Sequence, residues 1–134
     1  MGLFNFFNKK EKTLSENELK WNKMWELWSD GKADTPYSEL MTYQSEVNNG
    51  GHLQYFDNIE NTGDLQREIS KLELILSQVL KDNLQEAYKA YHILKKNADD
   101  KKYEKIIEKC DKIFSDNEER INRILEEYSE RIEL

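Results

Sequence analysis

Cysteine is almost missing from this chain: Cys110 stands alone among 134 residues. One thiol excludes an internal disulfide and gives no sign of an oxidising compartment. Proline occurs once, at Pro36, and none of the five glycines lies beyond Gly63. Everything from Asp64 to Leu134 is therefore free of the two strongest helix breakers, which favours nearly continuous helix with short interruptions. No apolar run approaches the roughly 18 residues a membrane span needs. Histidine appears only as His52 and His92, and no His-x-x-x-His or Cys-x-x-Cys spacing exists, so a metal centre lacks ligands. Gly50-Gly51 is too short for a phosphate-cradling loop. Basic charge is in deficit too, 20 residues against 27 acidic ones and a net charge of −7, which argues against direct binding of nucleic acid.

What is present is amphipathic helix. Charged residues make up 35% of the chain and hydrophobic ones 37%, a balance that suits helices with much exposed surface. The length is that of one domain, large enough to bury a core without disulfides or metals. Met1 to Lys12 joins Leu3, Phe4, Phe6 and Phe7 to a lysine-rich run. Residues 1–14 are expected to be a mobile tail, with weak membrane contact as the alternative. Gly2 suggests a myristoylation start, but Phe6 occupies the place of its serine or threonine. The expected all-helical domain is 15–134.

Ser15 with Glu18 forms a capping box, opening a helix that Asp30-Gly31 ends. Trp21, Met24, Trp25 and Trp28 fall at helical steps on it, as either core or an aromatic binding surface, and core is the simpler account. Thr35 is expected to cap the next helix, with Pro36 in its first turn. Leu65, Ile69, Leu72, Leu76 and Val79 make one stripe, with a break expected at Asp82-Asn83. Further stripes start at Leu84 and Tyr103, the second behind an aspartate cap at Asp99 or Asp100. A capping box at Ser115 and Glu118 suggests one more start. The count is about seven helices, with no strand, in a compact bundle.

One stretch departs from this plain pattern. Glu46-Val47-Asn48-Asn49-Gly50-Gly51-His52-Leu53-Gln54-Tyr55-Phe56-Asp57-Asn58 holds two glycines, a histidine and many amides and aromatics. Asn48 to Gly51 should stop one helix, and a short second helix should run from about Gly51 to Ile59 at the centre of the bundle. Gln54 and Asn58 are expected to bond neighbouring backbone, because an unpaired buried amide costs about 1–3 kcal/mol.

These same residues, E-V-N-N-G-G-H-x-Q-Y-F-x-N, resemble the signature of the DNA-mimic-protein family. The resemblance continues through Cys110 to Phe114 and Ile124 to Tyr128, covering roughly residues 20 to 130. It implies a small bacterial all-helical protein, in a family whose namesake imitates the charge pattern of duplex DNA and binds a transcription factor.

Three functions are compatible with these observations. The first is a non-enzymatic, cytoplasmic interaction domain that binds a basic DNA-binding protein as a DNA mimic, without a cofactor, and with a homodimer allowed. Its candidate acidic surface is Asp116, Glu118, Glu119, Glu126, Glu127, Glu130 and Glu133, set against only three arginines. The second is an inhibitor or immunity-type protein masking a basic nuclease by the same charge logic. The third is an enzyme with Glu46 as base, His52 as acid, and Gln54 and Asn58 positioning a substrate. Twenty basic residues interrupt the acidic pattern, so solvated faces laced with ion pairs are the plainer account of the charge. A concave pocket lined by Glu46, His52 and Gln54 would favour catalysis. Burial and mutual bonding of those side chains would make the motif structural.

Overall fold

The computed structural model describes residues 14–134, and the Phe-rich start of the chain, where the tail and membrane expectations fall, lies outside them. Five helices account for these residues, and no strand occurs among them: α1 (Glu16–Ser29), α2 (Tyr37–Thr62), α3 (Leu65–Glu73), α4 (Gln78–Lys96) and α5 (Lys101–Glu130). The expected seven reduce to five, because no break occurs at Ser115 and because the two segments that meet at Gly50 and Gly51 count as one bent helix, although both glycines leave helical geometry. Residues 37–62 form one assigned helix with a sharp elbow at Gly50 and Gly51. Lys101–Glu130 runs straight through Ser115.

The caps explain most boundaries. Ser15 Oγ accepts from the Glu18 N–H at 3.1 Å, and Glu18 accepts from the Ser15 N–H at 3.3 Å, completing the capping box. Gly31 follows α1 at φ 72°, a left-handed conformation that favours glycine. Asp64 caps α3 by accepting from Arg67 N–H, and Asp100 caps α5 by accepting from the N–H groups of Lys102 and Tyr103. At the start of α2 the expectation is corrected. Pro36 itself takes the N-cap position, while Thr35 donates its hydroxyl to Glu39 at 2.7 Å.

The break expected at Asp82-Asn83 falls earlier, at Leu74 to Ser77. Asn83 is buried and donates to the Cys110 carbonyl at 2.9 Å, so its amide joins α4 to α5 instead of forming a turn. Because the helix restarts at Gln78, Val79 leaves the apolar stripe and is 47% exposed, while Leu80 is buried in its place.

Helix α5 is the spine. Thirty residues span about 45 Å, and α1, α2 and α4 all pack along it. The core joins Met24 of α1, Leu40, Tyr43 and Phe56 of α2, Leu72 of α3, Leu84 of α4 and Phe114, Ile121 and Leu125 of α5. At one end, Tyr37 and Tyr128 stack with ring centres 4.2 Å apart, and Arg131 donates to the Tyr37 hydroxyl. The Asp34 N–H donates to Tyr128, which fastens the start of α2 to the end of α5. No helix is long and apolar enough to cross a membrane among the described residues.

Candidate functional site

The elbow is built by two glycines with different tasks. Gly51 adopts φ 80°, ψ −179°, which a side chain would strain. A Cβ there would also stand 2.6 Å from Asp111 Oδ2. Gly50 has φ −155°, open to other residues, but a Cβ there would meet Gln54 Oε1 at 1.9 Å. Both glycines thus admit a polar side chain against the backbone.

Asp111, reaching across from α5, does what a cap does. Its Oδ1 accepts from the His52 main-chain N–H at 2.9 Å and pairs with His52 Nδ1 at 2.6 Å. The restarting helix has free N–H groups and a partial positive charge at this point, and the carboxylate serves both. His52 is completely buried, and its Nε2 lies 2.6 Å from the Tyr43 hydroxyl. Burial raises the Tyr43 pKa well above that of free tyrosine, with Tyr55, Cys110 and Asp111 adding to the effect. The phenol therefore keeps its proton, and with the tautomer that carries hydrogen on Nδ1 it donates to Nε2 while Nδ1–H donates to Asp111, so that every proton has an acceptor.

Glu46 clamps the elbow from the outside. Its Oε2 accepts from Gln54 Nε2 at 3.3 Å and from Asn58 Nδ2 at 2.6 Å. Gln54 and Asn58 were expected to bond backbone. They bond this carboxylate instead, because the bend brings residues 8 and 12 positions onward over it. Asn48 donates to Glu118 Oε2 at 2.6 Å, and Gln44 donates to Glu118 and to Asn122. Glu118, read from sequence as half of a capping box, is thus a tie between α5 and α2. Asn49 is exposed. Tyr55 and Phe56 are fully buried, so the short segment turns its aromatics inward while Asp57 and Asn58 face solvent. The Tyr55 hydroxyl has no partner among the described residues, and burial, with Glu68, Glu39 and Glu46 nearby, raises its pKa far above the usual value.

This arrangement leaves the proposed acid and base with prior commitments. Glu46 is held by two amides, and both ring nitrogens of buried His52 are engaged. Neither residue lines the hollows between α1 and α5, beside Trp25 and Asn49, or beside Leu53 and Tyr91. Among the described residues no three histidine, cysteine, aspartate or glutamate side chains converge to hold a metal ion.

The hollows lie elsewhere. One of about 530 Å³ runs between α1 and α5 and is lined by Glu18, Trp21, Asn22, Glu126 and Glu130, among others. A second, also about 530 Å³, shares Trp21 and Asn122 and extends to Trp25, Gln44, Asn48 and Asn49. The tryptophans are half-buried rather than fully enclosed, with Trp21, Trp25 and Trp28 packed edge to face along α1. Only Met24 of that stripe is completely covered. All three indoles pack against the core and remain partly exposed, so core packing does not remove them from the surface.

The acidic residues divide. Asp116, Glu119, Glu126, Glu127, Glu130 and Glu133 are exposed, whereas Glu118 turns inward to Gln44 and Asn48. Lys112 pairs with Asp116 and Arg123 with Glu119. No lysine or arginine among the described residues pairs with Glu126, Glu127 or Glu130 within 4 Å. Helix α1, packed on α5, carries exposed Glu16, Glu18 and Glu26 together with Lys20 and Lys23, and Glu18 shares a hollow with Glu126 and Glu130. Sequence inspection missed Asp111, Tyr43, Gln44 and Asn122 as partners of the motif. Only Asp111 carried a signal, through its place in the second segment of family resemblance.

An all-helical protein whose one unusual motif splints a helix elbow is the class that these elements define. The chain belongs to the DMP19-like protein family, whose model matches residues 37–133. The match begins at Tyr37, later than the residue 20 expected, so α1 with its three tryptophans lies outside it. Comparison with curated proteins and with solved structures gives no match.

Proposed function

We propose that this protein is a non-enzymatic interaction domain that binds a basic DNA-binding protein by presenting carboxylates where that partner would meet phosphates. The observation that carries the proposal is the row of carboxylates on the open face of α5, ending in Glu126, Glu127 and Glu130, which pair with no lysine or arginine among the described residues. From Asp116 to Glu130 the helix rises about 21 Å, so the five exposed acids of this row come about one per 5 Å, against about one phosphate per 3.4 Å along a single DNA strand. Helix α1 sets Glu18 alongside, across a hollow from Glu126 and Glu130. Packed helices lie about 8–10 Å apart, on the scale of the roughly 6 and 12 Å grooves of B-DNA. Family membership adds support. The commitments of Glu46 and His52 to the elbow weigh against the enzymatic alternative.

The test is affinity capture by the full chain at low and high salt, followed by competition with duplex DNA. A basic DNA-binding protein should be retained at low salt, released as salt rises, and displaced by duplex. Replacing Glu126, Glu127 and Glu130 together with glutamine should abolish retention while leaving the helical content unchanged. Capture that survives high salt, or that ignores duplex competitor, would contradict mimicry. Masking of a basic nuclease would show instead as inhibition of strand cleavage by the captured protein.

A further inference from the structure

We infer that the groove between α1 and α5 is the seat of an arginine side chain from the partner's basic segment, with Trp21 as its floor and Glu18, Glu126 and Glu130 as its rim. The inference rests on the interaction proposed above and adds the place and the chemistry of recognition.

The groove is a recess of about 530 Å³, not a flat charged face. Trp21 lines both hollows and is half-buried, so part of its indole is exposed in the groove. A planar cation stacks on an indole, and indole is the best of the aromatic faces for it. A guanidinium also presents a rigid fork of donors to carboxylates, which an ammonium does not. The rim supplies those acceptors. Glu126 and Glu130 follow one another at helical spacing on α5, unpaired among the described residues, and Glu18 faces them from α1. Lys20, beside the groove, has its ammonium occupied with the Glu130 carbonyl at 3.1 Å and the Glu16 carboxylate at 3.5 Å, and Arg123 is paired with Glu119. Charge and shape therefore select the same occupant. The adjoining hollow, bordered by the amides of Asn48 and Asn49, is placed to take main-chain polar groups of the same extended segment. This gives the exposed Asn49 a role that the elbow itself does not.

The experiment uses the full chain, an arginine-rich peptide and a lysine-rich peptide of equal length and charge. Binding is followed by the three indole N–H resonances and by calorimetry. The arginine peptide should shift Trp21 most and leave Trp28, whose indole donates to Thr42 at 3.0 Å, nearly unmoved. It should bind several-fold more tightly than the lysine peptide. Trp21→Leu should weaken it about tenfold and erase the preference, as should Glu126→Gln with Glu130→Gln. Glu108→Gln, an exposed change in the other half of α5, should do neither.

Both peptides binding equally, with Trp21 unmoved and Trp21→Leu without effect, would overturn the groove while leaving charge mimicry standing. No salt-dependent binding of either peptide would overturn both. A Trp21 shift that grows with protein concentration alone would assign the groove to a second copy. A Trp21 shift on removal of residues 1–13, without peptide, would assign it to the chain's own start. Either result would overturn the inference. The resonance measurement on the unaltered chain stands even where Trp21→Leu fails to fold.

Discussion

Asp111 on α5 holds both the main-chain N–H and the ring of His52 on α2, across 59 residues of sequence. It is therefore the cap of a helix segment to which it does not belong. Its removal strands two donors, one of them on a fully buried ring. Asp111→Ala should lower stability by about 2–3 kcal/mol, since each unmatched buried donor costs about 1–3 and water can reach part of this site. Asp111→Asn, which keeps an acceptor oxygen, should cost less than half as much. Urea unfolding with unchanged slope measures both. Equal losses in the two variants would show that charge, not the accepted hydrogen bonds, is what Asp111 contributes.

The adjacent glycines should not be equivalent. Gly51→Ala meets a left-handed backbone and a carboxylate with little room to retreat, for a cost of about 1–3 kcal/mol. Gly50→Ala meets chiefly the end of a glutamine, which can swing away by giving up its bond to Glu46, and also the Gln54 Cβ at 3.0 Å, which must give slightly. Its cost should be no more than about 1.5 kcal/mol. Adding Gln54→Ala should relieve most of the steric part, so the double variant should be more stable than the sum of the two single effects allows. Strict additivity would mean that Gln54 does not pack on Gly50.

Local signals in the sequence were read correctly where the physics is local. The Ser15 box, the Gly31 stop, the glycine elbow and the aspartate cap, which falls on Asp100 of the two candidates, each need only a few neighbouring residues. The failures share a different cause. Ser115 with Glu118 has the spacing of a capping box, but Glu118 is taken by Gln44 and Asn48, some 70 residues away in sequence, so the helix simply continues. Asn83 looks like a breaker until its amide is seen to bond the Cys110 carbonyl. The true break at Leu74 to Ser77 is apolar, and hydrophobic periodicity runs across it without a mark. The motif was legible as a structural centre, but its partners on α5 were not, because tertiary pairing has no fixed spacing in the chain.

Cys110 should behave as core and not as a nucleophile. Burial pushes its thiol up to about 12, Glu86 and Asp111 push in the same direction, and Lys109 opposes them. In the native protein it should resist alkylation by iodoacetamide at mildly alkaline pH, reacting at least about a hundredfold more slowly than in the urea-unfolded chain. Labelling should accelerate in step with unfolding as urea is added. Prompt stoichiometric modification of the folded chain would place Cys110 in a more open setting than the α4 and α5 interface.

Glu68 sets the clearest dependence on pH. Its side chain is largely buried beside Glu39, and both carboxylates share Arg67, whose Nη1 lies 3.3 Å from Glu68 and 3.5 Å from Glu39. Burial raises the Glu68 pKa, Glu39 and then Asp64 act in the same sense, and Arg67 offsets only part of the effect. A carboxyl whose folded pKa exceeds its unfolded one binds more protons in the native state. Its contribution to stability is therefore greatest at acid pH and is lost as pH rises from the ordinary glutamate range through the raised folded value. At neutral pH the ionised side chain is a net cost. Glu68→Gln should accordingly stabilise the protein near neutrality, by no more than about 1 kcal/mol because the guanidinium partner is itself half exposed. The advantage should vanish once the pH falls below the glutamate range. Arg67→Met should act oppositely, raising the Glu68 pKa further and steepening the fall in stability with pH. Urea midpoints measured across mildly acid to neutral pH for the three chains decide the matter, and a Glu68→Gln curve that runs parallel to the parent at every pH would show that Glu68 ionises without resistance.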